Sequence, residues 1–215
     1  MLTGGAGGRA MTRAFEELFG VPDAFLGIPM AGRTDAWILS DAAAAHGIAA
    51  DAPNLPHFPE VYLRHLAVEI TGRPSRGPRF GVMPGVRELL DTLVDRDDVF
   101  LALLTGNCEE GARLKLEHFD LCRYFRCGAF GDNAPDRNAL MPRALARVAE
   151  CGSSFAAAEA VVIGDTPLDV ACALASGARS IGVATGSHTA HDLREAGADV
   201  VFQDLSDIEA VLRVI

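Results

Sequence analysis

Val161-Val-Ile-Gly-Asp-Thr-Pro-Leu-Asp-Val170 is the stretch from which the architecture of this chain is read. Two valines and an isoleucine running into Gly164 read as a buried strand, with Asp165 at its carboxyl tip. Thr166 is a helix N-cap candidate, Pro167 suits the first helical position, where its missing N–H costs nothing, and Asp169 falls in the first turn. Two carboxylates therefore open beyond a strand end, where parallel α/β sheets bind ligands, and such a pair suits a hard divalent cation such as Mg2+. The same four residues, Thr166 to Asp169, also read as an ordinary capping box, which explains Asp169 but gives Asp165 no role. On these residues alone both readings stand.

Composition narrows the field. A chain of 215 residues with 49% hydrophobic residues can bury a sizeable core, as one large α/β domain or as a core with a smaller partner domain. The net charge of −10 argues against a nucleic-acid or anionic-membrane surface, so any phosphate site must be assembled locally. No window reaches the apolar length of a membrane span, and the opening MLTGGAGGRAM has neither the basic region nor the apolar stretch of a signal peptide, so the expected compartment is the cytoplasm. Five cysteines, at 108, 122, 127, 151 and 172, include no CxxC pair and read as reduced, mostly buried thiols. Cys108 follows a strand tip, but no neighbouring feature supplies a base.

Working outward, Gly4 to Gly8 is glycine-rich yet lacks the strand that a phosphate loop requires before it, so it is read as a hinge. Helical spacing begins at Arg9, with Met11, Phe15, Leu18 and Phe19 as an apolar stripe ending at Gly20. Further helices are expected over residues 33 to 46 and 58 to 70. The absence of a convincing strand between Gly8 and Phe80 suggests a small helical domain, closed by the turn-rich residues 72 to 81. From Pro84 onward strands and helices alternate: strands at 99 to 104, near 125 to 130, at 160 to 164, 181 to 184 and 199 to 202, with helical segments between them. That order means parallel βαβ units with helices on both faces. His188 and His191 lack a third ligand and read as a loop and helix start.

Two further signals carry chemistry. Leu103-Leu-Thr-Gly-Asn107 offers a hydroxyl at Thr105, close backbone approach at Gly106 and an amide at Asn107, a set able to grip phosphate oxygens or simply to turn a strand into a helix. Arg137, before its helix, reads by itself as an ordinary surface arginine.

Together, LLTGN at 103 to 107, Arg137 and GDTPLD at 164 to 169 resemble the haloacid dehalogenase-like hydrolase superfamily, in particular its phosphatases with a helical cap, close to phosphoglycolate phosphatase. The resemblance implies a Rossmann-like parallel core over residues 81 to 215, with 1 to 7 as linker, and a helical cap over 8 to 80. It implies a small phosphorylated metabolite as substrate and Mg2+ as cofactor. Thr105 would bind the phosphoryl group with Gly106 and Asn107. Arg137 would stand where the family usually has lysine, Asp165 would ligate the metal, and Asp169 would support it. Arg33, Thr34 and Asp35 are candidate cap contacts to the leaving group. The chemistry agrees, since phosphoryl transfer is largely positioning and charge neutralisation.

The family's reaction starts on a DxD motif at the tip of a first, central strand, and this sequence has neither the motif nor that strand. Asp23 and Asp35 lie inside the cap region and are not assigned the role. The expectation is a start codon placed too far downstream or a shortened chain, with a non-catalytic, anion-binding pseudoenzyme second. A dehalogenase of the same fold is a third reading, against which the GDxxxD spacing argues. The strands at 99 to 104 and 160 to 164 should then flank an apolar gap, not pair with each other.

Overall fold

The computed structural model describes residues 1–72, 80–132 and 134–215. The turn-rich boundary expected at 72 to 81 lies largely outside the described residues. Helix α1 (Ala6–Phe19), α2 (Asp35–Ala45) and α3 (Phe58–Thr71) form a helical layer. Its core is aromatic: Phe15 lies edge-on to Phe25 with centroids 5.6 Å apart, and Phe58 stacks on Tyr62 at 6.2 Å. Edge-on and stacked pairs of this kind add to the area they bury.

The glycine run is not a hinge. Leu2–Thr3 is a short strand, β1, paired antiparallel with β2 (Phe80–Gly81). Gly4 and Gly5 turn the chain with φ of 59° and 79°, and Gly7 and Gly8 already belong to α1. Glycine costs about 1 kcal/mol in a helix relative to alanine, but α1 packs along α3, and tertiary packing overrides that local preference. The 1 to 7 linker is corrected accordingly.

The remainder alternates as expected: α4 (Val86–Val94), β3 (Ala102–Leu104), α5 (Glu109–His118), β4 (Cys127–Ala129), α6 (Leu140–Glu150), β5 (Val161–Gly164), α7 (Pro167–Ser176), β6 (Arg179–Val183), α8 (Ala190–Glu195), β7 (Val200–Phe202) and α9 (Ile208–Leu212). All the ladders in this part are parallel. β3 pairs with β4, Leu103 opposite Gly128, and β5–β6–β7 forms a separate three-stranded sheet with Ile163 opposite Ile181.

Among the described residues no strand lies between β3 and β5. A groove of about 510 Å³ occupies that place, lined by Leu101, Leu103, Met141, Val162 and Ile163 among others. This is the apolar gap that the missing first strand predicts. The 99 to 104 run supplies three ladder residues, and among the described residues β3 has a partner only on its β4 side. The architecture is α/β with parallel sheets, and among the described residues no strand fills the central position.

Candidate functional site

Both signature turns sit at the carboxyl ends of β3 and β5, and they face one pocket of about 360 Å³. The first turn is held from several sides. The Thr105 N–H donates to the Ala129 carbonyl at 3.0 Å, tying the tip of β3 to β4. Asn107 donates to Thr105 Oγ1 through Nδ2 at 2.8 Å and through its backbone N–H at 3.2 Å. Gly106 is required by close approach: a methyl group there would lie 2.1 Å from the Arg33 carbonyl oxygen.

In the second turn, Thr166 caps α7 and forms a complete capping box with Asp169. Asp169 Oδ2 accepts from the Thr166 N–H at 3.0 Å and from Thr166 Oγ1 at 2.7 Å. Its other oxygen pairs with the Arg137 guanidinium. The capping reading of Asp169 is thus realised in a residue that also faces the pocket. Asp165 is different: burial, and then the negative charge of Asp169, push its carboxyl above the ordinary aspartate range. A desolvated carboxylate beside another carboxylate is stabilised by a cation.

Arg137 is neither solvated nor remote. Its side chain is 12% exposed, with Nη1 donating to the Gly32 carbonyl at 3.2 Å and Nη2 reaching the Leu104 carbonyl at 3.5 Å. Nε is buried without a partner among the described residues.

Asp165 would supply the direct carboxylate ligand to a divalent cation, and Asp169, whose oxygens are already engaged by Thr166 and Arg137, would support it. No group of three or more His, Cys, Asp or Glu side chains is arranged for a metal among the described residues. Such a cation would complete its oxygen shell from water, backbone and a phosphate, the usual habit of Mg2+.

The three cap candidates separate. Asp35 lines the pocket, its Oδ2 accepting from the Cys108 N–H at 2.8 Å. Thr34 is fully buried, caps α2 through Trp37 N–H and donates to the Ala134 carbonyl at 3.0 Å. Arg33 touches the pocket, but its guanidinium is drawn to Asp41 and lies over the Trp37 ring. Thr189, between the two histidines, caps α8. Burial and then Asp35 push the Cys108 thiol up to about 12, which leaves it protonated and inert.

Sequence reasoning misses Lys115 and Tyr62, both lining the pocket. Lys115 donates from Nζ to Asn107 Oδ1. One signal is present: Lys115 lies on the same stripe of α5 as the buried Ala112 and Leu116, so a lysine interrupts an apolar face.

Known proteins resemble this chain in sequence and in fold. Residues 136–208 match a family model described as HAD-hydrolase-like. A phosphoglycolate phosphatase of Pseudomonas fluorescens is 31% identical over 124 residues, 58% of this chain and 44% of the relative. One from Pseudomonas savastanoi is 32% identical over the same shares. The matched stretch thus spans less than half the length of these relatives. Among solved structures, a predicted phosphatase from Clostridium acetobutylicum superposes with a TM-score of 0.70 at 16% identity, covering 99% of this chain and 93% of that one. A predicted phosphoglycolate phosphatase from Haemophilus somnus does so at 0.70 and 17%, covering 96% and 90%. The chain has the haloacid dehalogenase-like fold and resembles the phosphatases of that superfamily.

Proposed function

We propose that the pocket between β3 and β5 binds the phosphoryl group of a small phosphorylated metabolite together with Mg2+, as the binding half of a phosphatase site resembling that of phosphoglycolate phosphatase. The observation that carries this is the convergence of Thr105, Asn107, Arg137 and Asp165, read separately from the sequence, on one pocket at two parallel strand ends. Thr105 and the backbone of Gly106 and Asn107 would donate to phosphate oxygens, while Arg137 offers a fixed positive charge. Mg2+, held at Asp165, would neutralise the remaining phosphate charge. Arg137 also holds Asp169, so the carboxylate and the phosphate would share one guanidinium.

A non-catalytic, anion-binding role is the second reading. It is favoured because no aspartate stands at a strand tip between β3 and β5 among the described residues. On both readings this chain by itself binds phosphate without turning esters over.

Titration calorimetry with inorganic phosphate, with and without Mg2+, tests the site, and release of phosphate from p-nitrophenyl phosphate tests turnover. Arg137→Lys, which keeps the charge but loses the Nε donor that the other partners leave free, should weaken phosphate binding about tenfold, the loss of one good charge-assisted contact. Unaltered phosphate affinity in this variant would show that the phosphate reads only the charge at this position, which a lysine supplies as well. Hydrolysis at an enzyme-like rate above about 1 s⁻¹ would refute the inactive state.

A further inference from the structure

The pocket has a second polar end that the phosphoryl reading does not use. It lies where α1, α3 and α5 meet. Tyr62, on α3, is 2% exposed, and its hydroxyl has no hydrogen-bond partner among the described residues. Lys115, on α5, is 8% exposed. Its ammonium donates to Asn107 Oδ1, which leaves two of its three N–H donors. Both polar atoms converge on the bare Cα of Gly7 in α1: a methyl group there would lie 3.3 Å from Lys115 Nζ and 3.9 Å from Tyr62 Oη. Asp35 closes the same end from α2.

The charges choose the ligand. Burial pushes the Asp35 carboxyl up and the Lys115 ammonium down, and their mutual attraction opposes both shifts. Yet Asp35 accepts from the Cys108 N–H while Lys115 donates to Asn107, so neither is the other's hydrogen-bond partner. The corner is therefore neutral, with donors on Lys115 and Tyr62 and an acceptor on Asp35. An alkyl group placed there would leave the buried Tyr62 and Lys115 donors unsatisfied. A carboxylate would bring a second anion against Asp35 in a desolvated space. A hydroxyl both accepts and donates, and it matches donor and acceptor alike.

We propose that Gly7, Asp35, Tyr62 and Lys115 form the leaving-group subsite and read a hydroxyl, so that the chain selects phosphate monoesters of short polyols over phosphorylated carboxylic acids. This rests on the phosphoryl end binding as described above. It concerns specificity, and binding alone can test it.

The test is titration calorimetry on this chain, with Mg2+, using inorganic phosphate, glycerol 1-phosphate, propyl phosphate and 2-phosphoglycolate. Glycerol 1-phosphate should bind at least about tenfold tighter than either of the other two esters, the worth of about one net hydrogen bond. Tyr62→Phe removes only the hydroxyl, and Gly7→Ala places a methyl group between Nζ and Oη while improving helix propensity, so both should fold. In each, the ratio of glycerol 1-phosphate affinity to inorganic phosphate affinity should fall at least about fivefold, with melting temperature confirming the fold. Tightest binding of 2-phosphoglycolate, equal binding of the three esters, or ratios unmoved in both folded variants would overturn the subsite while leaving the phosphoryl reading intact. Failure of inorganic phosphate itself to bind would overturn both.

Discussion

Replacing Gly106 by alanine probes the contact on which the site depends. The new methyl carbon would lie 2.1 Å from the Arg33 carbonyl oxygen and 3.1 Å from Thr34 Cα. The first distance is more than about 1 Å short of van der Waals contact, and both neighbours are backbone, so no side chain can swing aside. The loop before α2 must therefore retreat, weakening the 2.7 Å hydrogen bond from the Asp35 N–H to the Gly106 carbonyl. Overpacking of this kind costs about 1–3 kcal/mol and the hydrogen bond about 0.5–1.5, so the variant should be less stable by about 2–4 kcal/mol. For a chain of this length that corresponds to a drop in melting temperature of roughly 5–15 °C. Phosphate affinity should fall as well, because Asn107 and Thr105 move with the turn. Gly131 provides a control layer, since a methyl group there would meet the Gly106 carbonyl at 2.0 Å. Gly131→Ala should cost a similar amount, and the double variant less than the sum, because both relax the same stack. Thermal unfolding followed by circular dichroism decides the matter: a Gly106→Ala protein melting within about 2 °C of the parent would refute the close-packed layer.

Two other outcomes are expected. Gly85→Ala should destabilise by about 3–5 kcal/mol, combining left-handed backbone strain with overpacking, because φ is 77° and a methyl carbon would fall 1.9 Å from the Leu205 carbonyl; a loss below about 1 kcal/mol in urea unfolding would contradict this. Asp199, which accepts from the Ser180 N–H at 2.7 Å and from its hydroxyl at 3.0 Å, has its carboxyl held below the ordinary range by those bonds. Its stabilisation is present above the unfolded pKa and lost as pH falls through the lowered folded pKa. Asp199→Ala should therefore cost about 1 kcal/mol near neutrality, given its exposure, and less once Asp199 is protonated. A difference of the same size in acid as at neutrality would refute the linkage.

What can be read from the sequence is what is local. Strand, cap, first-turn proline and capping box all fall within ten residues of the Val161–Val170 stretch, so propensity and periodicity suffice to place them. The gap beside β3 is legible only through the resemblance, which places a first, central strand between the 99 to 104 and 160 to 164 strands and so implies a gap where that strand is wanting. Gly4 to Gly8 misleads because glycine content is a local signal, whereas α1 forms against α3. Tyr62 and Lys115 lie on different helices, and only packing brings their polar ends to Gly7. Arg137 shows the same limit: its sequence context is that of a surface arginine, and its burial comes from Gly32 and Leu104.

That burial also explains how two half-sites stay in register without a strand joining them. No ladder connects β3 to β5 among the described residues, so hydrogen bonding within a sheet cannot fix Thr105 relative to Asp165. Helix α6 bridges part of the gap, since Met141 clusters with Val162 and Cys172, and Leu104 and Leu145 pack against that cluster. The Cys172 thiol donates to the Arg137 carbonyl at 3.2 Å, anchoring the start of that helix to α7. The Arg137 side chain completes the bridge, spanning the Leu104 carbonyl at the tip of β3, the Gly32 carbonyl of the helical layer and Asp169 of α7. A cation so placed has two roles that pull in different directions. As a strut it is favoured by tight pairing with Asp169; as a phosphate ligand it must keep a donor free, and the unpartnered Nε is one that it still has. Removing the charge altogether would leave Asp169 buried without a counter-charge, a cost of about 3–5 kcal/mol. This is why Arg137→Lys, and not a neutral replacement, separates recognition of phosphate from integrity of the fold.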